Sequence, residues 1–252
     1  MAINLNQLSK PDGKRPVIAT LFGEGGMGKT TLAAMFPKPV FIRTEDGTAS
    51  LVGNDDVALF PLARSSQDVI DAMIALGTEE HDRKTLVFDS ITQLATMIEH
   101  EIVVADAGSK SINQASGGYG AGYTEAAERH REIRELAGML AYDLGMNIVF
   151  IGHADTETMD LPDMEAYGRY TIRMHKKSLP HYTDNVDLVG FIRLKSTVLK
   201  KHDKHRAVSN GDREILCFPQ ASSVAKNRFG ITAPLDFSFD GGNPFASFAV
   251  GD

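Results

Sequence analysis

A chain of 252 residues with 42% apolar side chains is long enough to bury a substantial core without covalent staples, and its one cysteine, Cys217 in EILCFP, excludes an intrachain disulfide. The formal charge of −7 argues against a uniformly basic, polyanion-coating surface, yet between Arg169 and Arg206 ten Lys or Arg stand against three acids, a local +7 that leaves −14 elsewhere. No run of roughly 18 apolar residues occurs, and MAINLNQLSKPDGKRP has no apolar signal core, so the expectation is a soluble, cytoplasmic protein with no membrane partner.

In chain order, residues 1–15 read as a polar N-terminal extension. RPVIATLFG reads as a buried strand entering a glycine-rich turn, and KTTLAAMF as a helix that Pro37 must stop. PVFIRTEDG is a second strand ending in acid. SSQDVIDAMIAL carries serine caps and helical apolar spacing, and KTLVFDS is a third strand with Val87 and Phe88 ahead of Asp89. ITQLATMIEHEIVVAD is a further helix. TEAAERHREIRELAGMLAYDLG sets Ile133, Leu136, Ala137, Leu140 and Leu144 on one helical face before Gly145, and NIVFIGH follows as a continuous apolar strand. Strands apolar on both faces that alternate with helices predict an α/β fold, a mostly parallel central sheet flanked by helices. DLVGFIRLKSTVLKK and REILCFP, separated by SNGDR, read as antiparallel strands added at one edge. Residues 16–235 form the core in this reading and 236–252 a tail.

Between the first strand and the first helix stands FGEGGMGKTT. Gly23, Gly28, Lys29 and Thr30 fit G-x-x-x-x-G-K-[ST] in the strand–turn–helix setting that the pattern requires. The backbone N–H groups from Gly23 through Glu24, Gly25, Gly26, Met27 and Gly28 are expected to wrap a β-phosphate, with Lys29 reaching the β and γ oxygens. The hydroxyl of Thr30, with Thr31 beside it, is expected to bind Mg²⁺, so the cofactors implied are ATP and Mg²⁺. Asp89, closing its strand, is expected to hold the metal with Thr30, directly or through water. The same residue type also suits capping of the helix that follows.

Glu24 stands where partition ATPases resembling ParA carry a signature lysine. Ser90 stands where plant-resistance-type switch ATPases and AAA+ machines carry a second acid. An Asp followed by Ser resembles the RecA group, and that resemblance implies a glutamate base at the end of the second strand, where Glu45 lies with Asp46 as the competing acid. It also implies a γ-phosphate sensor at His153, a position equally suited to plain hydrogen bonding. Far downstream, KNRFG (Lys226 to Gly230) matches the motif of RadA branch-migration ATPases. Its Lys226-x-Arg228 core resembles the finger that DnaB- and RecA-type oligomers point into a neighbour's site, which implies a homo-oligomer, ring or filament.

Taken together, the short RecA-like P-loop NTPase core, GGYGAGY ahead of the long helix, the IGH strand end and AKNRFG resemble the phage-encoded RecA-like recombination ATPases of the Sak-four single-strand annealing type, over about residues 16–235. The resemblance implies single-stranded DNA binding, ATP-dependent pairing or annealing in recombination, and cooperation with a single-strand-binding protein. The rivals are a RadA- or DnaB-like helicase or branch-migration motor, and an ATP-gated binding switch that does not act on DNA. SINQASGGYGAGY puts Tyr119 and Tyr123 among four glycines, either a mobile loop with stackable rings or a connector whose tyrosines pack on the core. Arg169, Arg173, Lys176 and Lys177, in the second-loop position after His153, suit phosphate neutralisation or a solvated face. His175, His181, His202 and His205 match no zinc spacing. LDFSFDGGNPFASFAVGD reads as a docking tail for a neighbour, an edge strand or a disordered end.

Overall fold

Apolar runs at β1 (Ile18–Gly23), β2 (Pro39–Arg43) and β4 (Thr85–Asp89) form strands buried on both faces, as parallel strands between two helical layers must be. The structure, a computed structural model, describes residues 15–249 apart from 196, 202–203 and 209–210, and only the backbone at 48, 50, 197–201 and 204–208. The N-terminal extension through residue 14, His202 and the last three residues of the tail therefore lie outside the described residues.

The remaining strands are β3 (Ala58–Leu62), β5 (Asn147–Met159), β6 (Tyr167–Ile172), β7 (Leu188–Leu194), β8 (Thr197–Lys201), β9 (Lys204–Val208), β10 (Arg213–Leu216), β11 (Lys226–Asn227) and β12 (Leu235–Phe237). The helices are α1 (Lys29–Ala34), α2 (Ser66–Thr78), α3 (Ile91–Ala105), α4 (Ala121–Leu144) and α5 (Pro180–Thr183). The main sheet runs β12-β10-β7-β1-β5-β4-β2-β3, with β11 added to β7 and β6 to β5. From β7 to β3 every neighbouring pair is parallel, whereas β10, β11 and β12 pair antiparallel, so the mostly parallel sheet with an antiparallel edge is observed. β5 lies between β1 and β4, which brings the ends of β1, β5 and β4 side by side (Gly23 opposite His153, Asp89 opposite Ile151).

Three details differ from expectation. β7 runs parallel to β1 rather than joining the antiparallel group, because β6 ends beside the last residues of β1 and the 173–187 segment, with α5, carries the chain back to the end of the sheet where β1 begins, where Asp187 N–H donates to Ile18 O at 2.7 Å. β3 is an added edge strand whose alternating burial and Pro61 hide it in the sequence. On α4, Ile133, Ala137 and Leu140 are buried as expected, but Leu144 is exposed and Ala126, His130 and Ala141 complete the inner face.

One face of the sheet packs Phe22, Phe88 and Phe150 against α2, α3 and α4. The other packs Leu21, Phe41, Val87 and Val149 against Leu32 and Phe36. The tail belongs to this second core. Leu235–Phe237 is an edge strand, Phe245 is buried with its ring 6.3 Å from that of Phe36, and Phe248 stacks on Phe229 at 4.6 Å. α2 starts on a capping box in which the Ser65 hydroxyl accepts from Asp68 N–H and the Asp68 carboxylate accepts from Ser65 N–H.

Candidate active site

β1 delivers the chain into the glycine-rich loop against the end of β7. A Cβ on Gly23 would stand 2.5 Å from the carbonyl oxygen of Ile192, so only glycine passes here. Gly28 sits at φ 87°, the left-handed turn that admits the chain to α1, with the Phe239 ring filling the space where its side chain would be. Lys29 is buried, and its Nζ donates to the carbonyls of Gly23 (2.9 Å) and Glu24 (2.8 Å), which folds the ammonium back over the loop. Burial lowers its pKa, while Asp89 and Glu45 act the other way.

The Thr30 hydroxyl donates to Asp89 Oδ2 at 2.8 Å, joining the start of α1 to the end of β4. Asp89 is buried, and desolvation pushes its carboxyl above the ordinary range; the Thr30 hydrogen bond opposes this and the Glu45 charge adds to it. The Ser90 backbone locks β4 to the end of β2: its N–H donates to Thr44 Oγ1 (3.0 Å), and that hydroxyl donates to Ser90 O (2.8 Å). Glu45 therefore arrives beside Asp89. Its carboxylate pairs with His153 Nε2 at 3.0 Å, and this bond, with one from Ser90, holds its pKa below the ordinary value despite partial burial. The neighbouring Asp46 is 81% exposed, with Arg43 at 4.0 Å.

These residues line one cavity of about 590 Å³, walled by Gly25, Gly26, Gly28, Lys29, Thr30, Thr31, Glu45, Asp89 and His153. That size falls within the roughly 300–1,000 Å³ of small-molecule sites. The lining fits a triphosphate with a divalent cation. Lys29 rests on carbonyls it can exchange for phosphate oxygens, and Thr30 and Asp89 offer one hydroxyl and one carboxylate to the same point. A bound Mg²⁺ would supply charge neutralisation of the phosphates there.

Met27 packs against the second core and Glu24 turns to a neighbouring hollow, so these two contribute backbone rather than side chain. Phe239 joins the site from the tail. It is 45% exposed, lines the cavity, and carries the Arg213 guanidinium over its ring at 4.2 Å. The only sequence signal for it is the phenylalanine spacing of LDFSF.

The other expected site residues lie elsewhere. Lys226 and Arg228 are at the opposite end of the sheet: Asn227 pairs with Leu188, which pairs with Ala19, while Gly23 is four residues further along β1, roughly 13 Å of strand. Lys226 Nζ donates to the carbonyl oxygens of Asp184 and, at 3.4 Å, Thr183; Arg228, 46% exposed, pairs with Asp187 at 3.0 Å. Tyr119 is fully exposed in its loop. Tyr123 lies in the first turn of α4 rather than the loop, stacked on His175 at 3.8 Å. Lys177 Nζ donates to Thr124 Oγ1 at 2.7 Å, so the tyrosine-bearing segment and the basic segment meet. Arg169 is engaged across the β5/β6 ladder by Glu157 at 2.7 Å, Lys176 is exposed, and Arg173 lies beside the glycine-rich loop.

A glycine-rich loop closing a central parallel strand, its lysine, and a Thr–Asp pair at one cavity define a P-loop NTPase domain. The chain belongs to the AAA domain family, whose model matches residues 15–229. The match does not by itself single out the phage recombination type that the motifs resemble, and Ser90 after Asp89 does not place the chain outside the family. No curated protein matches the sequence significantly. Among the described residues no helix is long and apolar enough to cross a membrane.

Asp89 gives the site a stability signature. Its raised folded-state pKa means that ionisation opposes folding. Its contribution is fully present below the unfolded value near 3.8 and is lost as pH rises through the raised value. Asp89→Asn should therefore melt higher than the parent at pH 7 when no nucleotide or Mg²⁺ is added, and should lose the stabilisation that Mg-ATP gives the parent. Calorimetric scans with and without Mg-ATP check both, and a variant that melts lower unliganded yet still responds to Mg-ATP would contradict the assignment.

Proposed function

We propose that the protein is an oligomeric, Mg²⁺-dependent ATPase that binds single-stranded DNA and promotes strand pairing or annealing, as in phage-type recombination. The observation that carries the oligomer is the position of Lys226 and Arg228. They lie too far along the sheet to serve their own cavity, Lys226 half-buried and Arg228 exposed, and in a head-to-tail stack of copies that end of the sheet would meet the next copy's cavity. Arg228 would then stabilise the γ-phosphate charge in trans, with Lys226 beside it. Glu45, kept ionised by His153, is the acceptor for the proton of the attacking water.

The DNA surface in this reading is the junction of Tyr119, Tyr123, Lys176 and Lys177. An exposed ring beside cations suits unpaired bases, whose stacking contributes about 1–3 kcal/mol each. Tyr119→Ala is expected to weaken binding of a fluorescent single-stranded oligonucleotide by roughly 5- to 150-fold without lowering the melting temperature. Unchanged affinity in an anisotropy titration would remove this loop from the interface. A forked-duplex assay separates annealing from the helicase reading, since unwinding that scales with ATP turnover belongs only to the motor. Turnover indifferent to DNA would favour the switch.

A further inference from the structure

The sequence groups Arg173 with the basic residues of the second-loop segment, but the β5/β6 hairpin puts it elsewhere. Directly after β6, its N–H donates to His153 O at 2.9 Å and its Nη2 to Ala154 O at 3.2 Å. It lines a hollow of about 340 Å³ with Glu24, Gly25, His153 and Tyr170, and two of these residues, Gly25 and His153, also wall the nucleotide cavity. The side chain is exposed, and among the described residues no carboxylate pairs with it, although Glu24 and Asp155 border the same hollow. Its charge is felt at Lys29, where it acts in the same direction as burial.

A guanidinium held by one carbonyl, next to the loop and on the His153–Glu45 side of the cavity, is a fork without its planar partner; phosphate oxygens match that fork. Two residues on, His175 stacks on Tyr123, and two further on, Lys177 bonds Thr124. We propose that Arg173 contacts the terminal phosphate in cis, distinguishing ATP from ADP, and that its shift from Ala154 O onto phosphate moves the Met174–Lys177 segment against the Tyr119–Thr124 segment. This rests on the ATPase reading and adds to it a second, internal cation and a physical route from nucleotide state to the exposed tyrosines. The route is short: the Arg173 side chain, two backbone steps and one stacked ring pair.

The experiment compares dissociation constants for Mg-AMP-PNP and Mg-ADP in the parent, Arg173→Ala and Arg173→Lys, and follows hydrogen exchange of residues 118–124 with each nucleotide. Arg173→Ala is expected to lose roughly 10-fold or more for AMP-PNP with ADP affinity unchanged. The lysine variant should recover part of the loss. In the parent, exchange should differ between the two nucleotides, and the difference should vanish in Arg173→Ala. Equal losses for both nucleotides, no loss for either, or weakened oligonucleotide binding with nucleotide discrimination intact would each overturn the proposal. A parent that binds neither nucleotide would instead remove the ATPase reading, and the proposal with it.

Discussion

Glu45→Gln is expected to bind ATP with parental affinity and to hydrolyse it about 10²- to 10⁴-fold more slowly. Glutamine has nearly the same shape and keeps an oxygen that can accept from His153, so the cavity survives while the proton acceptor is lost. The environment favours this assignment: His153 and Ser90 hold the carboxylate ionised, and it sits within the electrostatic reach of Lys29 and Asp89. Asp46, which has only a 4.0 Å ion pair and wide exposure, serves as the control, and Asp46→Asn should turn over at close to the parental rate. Single-turnover hydrolysis with saturating ATP reads both variants. Parental turnover in Glu45→Gln would remove the base assignment, and collapse in Asp46→Asn would transfer it.

The second large effect belongs to Arg228→Ala, for which a loss of roughly 10³- to 10⁵-fold in turnover is expected, the usual worth of a finger arginine. The variant should fold. Asp187, which Arg228 partly covers, keeps Arg15 at 2.7 Å and the Ile18 N–H at 3.1 Å, so no buried carboxylate is stranded. Nucleotide affinity of the isolated chain should also be unchanged, because Arg228 lies at the far end of the sheet from the cavity. Loss of turnover with binding intact and melting unaltered is a combination that a cis ligand would not produce.

Most of the central sheet and half of the site were legible in the sequence for one reason: local chemistry specifies them. Runs such as NIVFIGH and KTLVFDS are apolar on both faces, and FGEGGMGKTT needs glycine at fixed offsets, so neither depends on distant partners. Glu45 and Asp89 converge because they end strands that pair in parallel, a consequence of the alternating pattern itself. What could not be read depends on long-range geometry. The direction of β7 follows from the 173–187 segment, which carries the chain from the end of β6 back to the start of β1. The position of Arg173 follows from the register that sets Ala154 opposite Ile172. Phe239 reaches Gly28 only because β12 pairs with β10 and then carries the chain over the loop. GGYGAGY looks continuous in the sequence and so puts Tyr123 in the loop, whereas Gly120, at φ 77°, caps a helix that begins at Ala121.

In the proposed oligomer each catalytic cavity is completed by another copy of the chain. Mixing Arg228→Ala with Lys29→Ala tests it most directly, since each variant alone should be inactive for a different reason. In random head-to-tail assemblies of equal amounts, about a quarter of the junctions join an intact loop to an intact finger. The mixture, with single-stranded DNA present, should therefore regain about that fraction of parental ATPase activity. A mixture as inactive as its components, from a protein that remains monomeric with ATP and DNA, would contradict the account.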